Sequence, residues 1–323
     1  MPEPVHIVLA ANDAYAVYCA ATIHSVFTAA SRPEAIRVHV LTSGFTSRNE
    51  QLLQAVAMVF GSGLTIHEIE LGATASLATL SHISADTYSR LFAAEKLTAV
   101  DKFIYLDCDV AVCADLASLM SAPLLGAPVA AVVHHNTALH QDFASRFQLA
   151  CVQGYVNAGV LVVDAVAWRA ENVAAKLTSW MQENRGRLAY SDQCAINHYF
   201  LNRITALHPR WNVEVRHYRD RWCGVKLSPD LCDALQKPAV LHYTGPTKPW
   251  DFREYVPKRS VYLAHLNAVL KLADRPPVVP RNTLANVWRE CVGVLRFRGG
   301  ALRRRLHLTR MCRTTARNDT AVA

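Results

Sequence analysis

No apolar run in this chain is long enough to cross a bilayer. The longest, Ala122 to Val133, has twelve residues and is interrupted by Pro123 and Pro128, against the ~18 to 20 that a spanning helix needs. Met1-Pro2-Glu3-Pro4-Val5-His6 lacks a basic start and a long apolar segment, so no secretory signal is expected and the protein is placed in the cytoplasm. The nine cysteines (19, 108, 113, 151, 194, 223, 232, 291 and 312) form no Cys-x-x-Cys pair and no zinc-like pairing with histidine. They read as reduced thiols that mostly fill space. Both Gly-x-Gly-x-x-Gly and Gly-x4-Gly-Lys-Ser/Thr are missing, which removes a dinucleotide fingerprint and a P-loop. A diphosphate would have to be held by a metal and side chains instead. Net charge is absent from the body as well. Of the formal +8, residues 281 to 323 supply all, with ten arginines against Glu290 and Asp319, so residues 1 to 280 are neutral. Nucleic acid is therefore not an expected partner, since a grip through the folded body needs a basic face there.

What is present is apolar substance and α/β rhythm. With 51% hydrophobic residues in 323, the chain can bury a full core. Val5 to Ala10 suits a central strand, and Tyr15 to Ala30 reads as a helix stopped at Ser31-Arg32-Pro33. Ile36 to Val40 alternates like a strand, Ser47-Arg48-Asn49-Glu50 has capping-box form before a helix at Leu52 to Phe60, and Leu64 to Ile69 alternates again. A helix is expected over Asp86 to Leu97, strands over 103–106, 129–133 and 160–163, and a helix over 166–184. The pattern runs on to Ala239-Val240-Leu241-His242 and a closing helix over Lys258 to Leu272. This is the signature of an α/β fold. One folded domain is expected over 1–273, a Pro-rich extended linker over 274–280, and a basic amphipathic tail over 281–323.

The strand Lys102 to Leu106 runs straight into Asp107-Cys108-Asp109. Side chains alternate along extended chain, so the two carboxylates point the same way and can converge on one hard divalent cation; a solvated turn is the competing reading of so short a motif. His242, at the end of a late apolar strand, offers a nitrogen of the kind Mn²⁺ accepts. In His242-Tyr243-Thr244-Gly245-Pro246-Thr247-Lys248-Pro249-Trp250, Gly and Pro shape a tight loop that could fold Lys248 over a negative group, the competing reading being a Pro-rich surface loop with one satisfied histidine. Tyr15 follows the first strand, where open α/β sheets bind ligands, and is suited either to stacking on a base or to packing at a helix start. Asn157-Ala158-Gly159 and Asp192-Gln193 are small polar groups suited to sugar hydroxyls, or to caps and turns.

Asn12-Asp13-Ala14-Tyr15, His82-Ile83-Ser84 with Thr87-Tyr88-Ser89-Arg90, Asp107-Cys108-Asp109, Tyr155-Val156-Asn157-Ala158-Gly159-Val160, Asp192-Gln193 and the His242 to Trp250 segment occur in this order. Together they resemble glycosyltransferase family 8 over about residues 5 to 255, most of all its bacterial lipopolysaccharide and lipooligosaccharide galactosyl- and glucosyltransferases of the α-1,4-galactosyltransferase branch. The resemblance implies a GT-A type nucleotide-diphospho-sugar transferase fold, with a single Rossmann-like mixed sheet flanked by helices. It implies a retaining transferase that moves a hexose from a UDP-sugar, galactose first and glucose next, to a saccharide or glycolipid acceptor in lipopolysaccharide or related glycan synthesis. Mn²⁺ is the implied cofactor, with Mg²⁺ second.

By position in the family pattern, Asp107, Asp109 and His242 would ligate the metal. Asn12, Asp13 and Tyr15 would hold the uridine, and Gly245 and Lys248 the diphosphate. Arg90, Asn157, Asp192 and Gln193 would surround the donor sugar, with Cys108 and Ala158 beside them and Asp192 and Gln193 nearest the chemistry. His82, Tyr190 and Thr244 would lie near the acceptor. Two departures stand out: Asp192-Gln193-Cys194 where many relatives have Asp-Gln-Asp, and Ala14 where close relatives carry Asn. Cys194 keeps a second reading open, a catalytically impaired nucleotide-sugar-binding protein. The tail mixes its arginines with Trp288, Leu295, Phe297, Leu302, Leu306 and Leu308, which suits an anionic membrane surface and a peripheral place on the inner face of the cell membrane. A solubilising tail is the alternative.

Overall fold

The computed structural model describes residues 3–70, 85–150, 152, 154–252 and 255–278, so His82 and the tail over 281–323 lie outside the described residues. The elements in chain order are β1 (Val5–Ala10), α1 (Ala16–Ala29), β2 (Ile36–Thr42), α2 (Ser47–Val59), β3 (Gly63–Glu68), α3 (Ala93–Lys96), β4 (Lys102–Leu106), β5 (Val110–Val112), α4 (Ala117–Met120) and β6 (Val129–Val133). There follow α5 (Thr137–Phe147), β7 (Val156–Asp164), α6 (Ala165–Ala170), α7 (Val173–Glu183), α8 (Ser191–Tyr199), β8 (Ile204–Leu207), β9 (Val213–Glu214), α9 (Arg216–Trp222), α10 (Pro229–Gln236), β10 (Val240–His242) and α11 (Arg259–Leu272). Among the described residues no helix is long and apolar enough to cross a membrane.

Seven strands form one mixed sheet in the order β3-β2-β1-β4-β7-β6-β8. Six run the same way and β7 alone runs against them, since it pairs antiparallel with both β4 and β6 while the other neighbours are parallel. The near-continuous apolar runs of β1, β4 and β7 follow from burial on both faces. One face packs around Ile7, Leu9, Val38 and Ile104 under α1 and α2. The other packs around Val8, Phe103, Tyr105 and Leu161 against Trp168, Leu177 and Phe200. The single sheet of the sequence reading is joined by a second, three-stranded sheet, β5-β10-β9, whose strands are only two or three residues long.

The reversed strand decides where chemistry gathers. Leu106 pairs with Val160, so the carboxyl end of β4 lies beside the amino end of β7. Asp107 and Asn157-Ala158-Gly159 therefore share one edge of the sheet, and the Asp107 N–H donates to the Gly159 carbonyl at 2.9 Å. The small sheet then brings β10 across the chain just after Asp109, with His242 opposite Val110. Two helices hold this crossing down: the Thr22 hydroxyl on α1 lies 2.8 Å from the Cys108 carbonyl, and the Tyr262 hydroxyl on α11 donates to the same oxygen at 2.9 Å.

Several local expectations shift. The helix expected over 86–97 is a 3₁₀ helix over Ala85–Phe92 followed by the single turn of α3. Tyr88 and Leu91, three residues apart and so on one side of a 3₁₀ helix, are both buried. The helix expected over 166–184 breaks into α6 and α7 at Asn172, which takes a left-handed φ of 54° that Asn tolerates better than most residues. The cap of α2 is Thr46, one residue ahead of the expected Ser47, because Asp13 accepts from the Thr46 N–H at 2.6 Å and its hydroxyl at 2.9 Å. Val278, within the expected linker, is tied back to α11: Asn267 accepts from its N–H at 2.8 Å.

Candidate active site

Six ionisable side chains meet where β4, β7, α8 and β10 converge. Asp107, Asp109 and His242 each offer a ligand atom, and these atoms lie within 4.8 Å of one another. His242 Nε2 is 3.2 Å from Asp109 Oδ1 and 3.7 Å from Asp107 Oδ2. The other Asp109 oxygen pairs with Lys248. Arg90 bridges the remaining carboxylates, 2.9 Å from Asp107 Oδ1 and 2.9 Å from Asp192 Oδ2, while donating to the Ala158 carbonyl at 3.0 Å. The guanidinium also sits over the Tyr105 ring, whose hydroxyl donates to Asp107 at 3.0 Å.

Burying an ion without a partner costs several kcal/mol, and here the signs balance. Burial alone would raise the Asp109 pKa, but Lys248 and His242 hold it well below the usual carboxylate range. Burial likewise works against a charged His242 and a charged Lys248, and in both Asp109 reverses the effect and raises the pKa. Asp192 goes the other way, its pKa raised by burial more than Arg90 lowers it. Two carboxylates and a histidine at this spacing form a donor set that fits a divalent cation such as Mn²⁺. Gly159 leaves the room for it: a Cβ there would lie 2.2 Å from His242 Cε1 and 2.6 Å from Asp107 Oδ2.

Most residues singled out by sequence fall in or around this cluster. Gln193 Oε1 accepts from Asn157 Nδ2 and from the Ala158 N–H, both at 3.2 Å, and its Nε2 donates to the Tyr155 hydroxyl at 3.0 Å. The residue just before Asp192, Ser191, is held at φ 45°, a left-handed conformation uncommon for serine. Gly245 takes φ 91°, which its lack of a Cβ permits, and turns the chain so that Lys248 folds back on Asp109. Tyr15 is exposed and stands edge-on to Tyr18 and Trp250, which stack on each other with centroids 3.7 Å apart. Tyr190 is exposed at the start of α8.

Others are committed elsewhere. The Asn12 side chain caps the Tyr15 N–H at 3.0 Å, and Asp13 Oδ1 is taken by Thr46 and Asn49. The Cys108 thiol turns into the core and donates to the Ala10 carbonyl at 3.3 Å. The Thr244 hydroxyl donates to Glu214 at 2.9 Å. Cys194 is buried with Phe143 and Tyr155, and burial raises its thiol pKa, which works against the thiolate that a nucleophile needs.

Sequence reasoning missed Asn212 and Glu214. Asn212 is buried against His242, and Glu214 gathers His134, His217, Arg216 and Thr244. Burial opposes its charge, yet His134 and Arg216 bring its pKa far below normal. Both line a cavity of about 270 Å³ with Asn157, His134, Pro209 and Ser228. Their only sequence mark is position just before and within a two-residue strand, too short to carry a pattern.

Residues 6–254 match the profile described as Glycosyl transferase family 8. General stress protein A of Bacillus subtilis is 25% identical over 277 residues, 82% of this chain and 94% of its own. Lipopolysaccharide 1,3-galactosyltransferase of Salmonella typhimurium is 27% identical over 244 residues, 72% and 68% of the two chains. The crystal structure of the galactosyltransferase LgtC in complex with donor and acceptor sugar analogues superposes with a TM-score of 0.70 at 26% identity, covering 87% of this chain and all of the other. The mixed sheet flanked by helices is thus a GT-A-like fold, as the motifs led us to expect.

The cradle at Gly159 makes a direct prediction. Gly159→Ala should destabilise the protein by about 1–3 kcal/mol, as overfilling a packed interior does, read as a lower urea midpoint at unchanged m-value. An unchanged midpoint would mean that His242 and Asp107 can step aside freely.

Proposed function

The chain belongs to glycosyltransferase family 8 and is a glycosyltransferase, and from that premise we propose that it moves a hexose, galactose first and glucose next, from a UDP-sugar to a saccharide or glycolipid acceptor with retention of configuration. The observation that carries this reading is the convergence of Asp107, Asp109 and His242 with Lys248 beside them. Asp107, Asp109 and His242 would hold Mn²⁺, or Mg²⁺ in its place. The bound cation supplies positive charge where the departing diphosphate becomes negative.

The remaining work falls to the chain's own side chains. Lys248 neutralises Asp109 in this structure and has the flexible stem to swing onto a phosphate oxygen, stabilising the leaving group. The exposed Tyr15 ring offers a face to the base, and Arg90 keeps Asp107 and Asp192 in place. Asp192 and Asn157 are suited to the hydroxyls of the donor hexose. Gln193 is a neutral amide whose oxygen already accepts two hydrogen bonds, which disfavours it as a nucleophile. Retention then proceeds by attack from the leaving group's own face through an oxocarbenium-like state, with the departing phosphate taking the acceptor's proton. The acceptor enters from the side of the cavity beside Asn157, near Tyr190 and Thr244. The arginine-rich tail over 281–323 would hold the enzyme at an anionic membrane, each basic residue adding ~1 kcal/mol.

UDP release in the presence of Mn²⁺, measured with UDP-galactose, UDP-glucose and N-acetylated donors, tests the reading. It should be highest with UDP-galactose, rise when a galactoside acceptor is added, and collapse in Asp109→Asn. Release that is indifferent to Mn²⁺ or to that substitution would contradict it. Removal of residues 281–323 should free the enzyme from anionic vesicles in a flotation assay while transfer to a soluble sugar continues; unchanged flotation would count against the anchor.

A further inference from the structure

A continuous line of side-chain amides joins the candidate metal ligand His242 to Gln193, and its polarity can be worked out from two donors that admit no ambiguity. The Gly159 N–H donates to Asn157 Oδ1 at 2.9 Å, and the Ala158 N–H donates to Gln193 Oε1 at 3.2 Å. A backbone N–H can only donate. Asn157 therefore presents its oxygen toward Gly159, and its NH₂ faces Gln193 at 3.2 Å. Asn212 reaches the same Asn157 oxygen at 2.9 Å and must do so with its own NH₂. That leaves Asn212 Oδ1 facing His242 Nδ1 at 2.8 Å. An amide oxygen can only accept, so Nδ1 must carry a proton.

We infer that Asn212 is a positioning residue that fixes a proton on Nδ1 of His242, leaves Nε2 as the ring's one possible metal-binding nitrogen, and ties that choice to the orientation of Gln193. The inference rests on the proposed reading of Asp107, Asp109 and His242 as a cation site. The geometry is suited to the task. Nε2 is the nitrogen that faces Asp109 and Asp107, at 3.2 and 3.7 Å. Asn212 is buried, with 4% of its surface exposed. Its partners come from β7 and β10, which approach from different sheets. The backbone of β7 thus dictates the tautomer of a histidine it does not pair with, through two intervening amides. The same two backbone donors turn the Gln193 oxygen inward and its NH₂ toward Tyr155. Metal geometry and the amide beside the donor sugar are set by one hydrogen-bond chain.

Mn²⁺ binding by the full-length, metal-stripped protein, measured by titration calorimetry without any donor sugar, provides the test. Loss of a hydrogen-bond partner behind a metal-ligating histidine typically weakens the metal about 10- to 100-fold. Asn212→Leu should show that loss while keeping its far-UV spectrum. Asn212→Asp retains an acceptor for Nδ1–H but cannot donate to Asn157. It should bind Mn²⁺ no less tightly than wild type, yet turn over more slowly at unchanged KM for the donor. If Asn212→Leu does not fold, Asn212→Asp decides alone. A marked loss of Mn²⁺ affinity in the Asp variant, or wild-type affinity in a folded Leu variant, would overturn the inference while leaving the cation site standing. Absence of Mn²⁺ binding by the wild type would overturn both.

Discussion

The site depends on a balance of buried charge. Three carboxylates, Asp107, Asp109 and Asp192, are drawn together at one end of the sheet, where buried charge without a partner is costly. Arg90 answers Asp107 and Asp192, Lys248 answers Asp109, and His242 lies between Asp107 and Asp109. Neutralisation differs between the two sides of the cluster. Lys248 is held by a long stem, whereas Arg90 is locked by four contacts at once, to two carboxylates, a carbonyl and the Tyr105 ring. The cluster thus has a fixed cation and a movable one. On the proposed function, in which a divalent ion and a diphosphate enter, that asymmetry lets incoming charge displace one cation and leave the other in place.

The fold creates the balance through two topological facts. The first is the reversal of β7, which sets Asn157-Ala158-Gly159 against the end of β4. The second is the short β5-β10-β9 sheet, which carries His242 back across the Asp107-Cys108-Asp109 turn. Gly159 is where the two meet, and no side chain fits between its Cα and His242. Thr22 and Tyr262 then hold the Cys108 carbonyl from α1 and α11, so the turn that presents both aspartates is anchored in the core from behind. Cys108 has its place here as well: β4 ends at Leu106, and the turn that presents Asp107 and Asp109 to the site sends its thiol onto the Ala10 carbonyl.

Much of this could be read from the sequence because the signals were local. An apolar strand ending in Asp-x-Asp, a Gly-Pro loop between His242 and Lys248, and strand-helix alternation all report on neighbours in the chain. The α/β architecture and the three candidate ligands followed. What could not be read depends on long-range pairing. Asn212 lies 30 residues from His242 and meets it only because β9 and β10 are parallel neighbours. The break at Asn172 and the 3₁₀ geometry around Tyr88 are settled by tertiary packing overriding helix propensity. Asp13, read as a ligand-binding residue beside the first strand, also has one oxygen engaged at the start of α2, a contact that depends on long-range packing.

The central claim is that Asp107, Asp109 and His242 hold a cation through which the protein grips a uridine diphosphate. UDP binding to the purified protein, titrated with Mn²⁺ present and again after EDTA, addresses it most directly. The account predicts binding that requires Mn²⁺ and vanishes with EDTA. Equally tight binding of UDP in the absence of any divalent cation would contradict it.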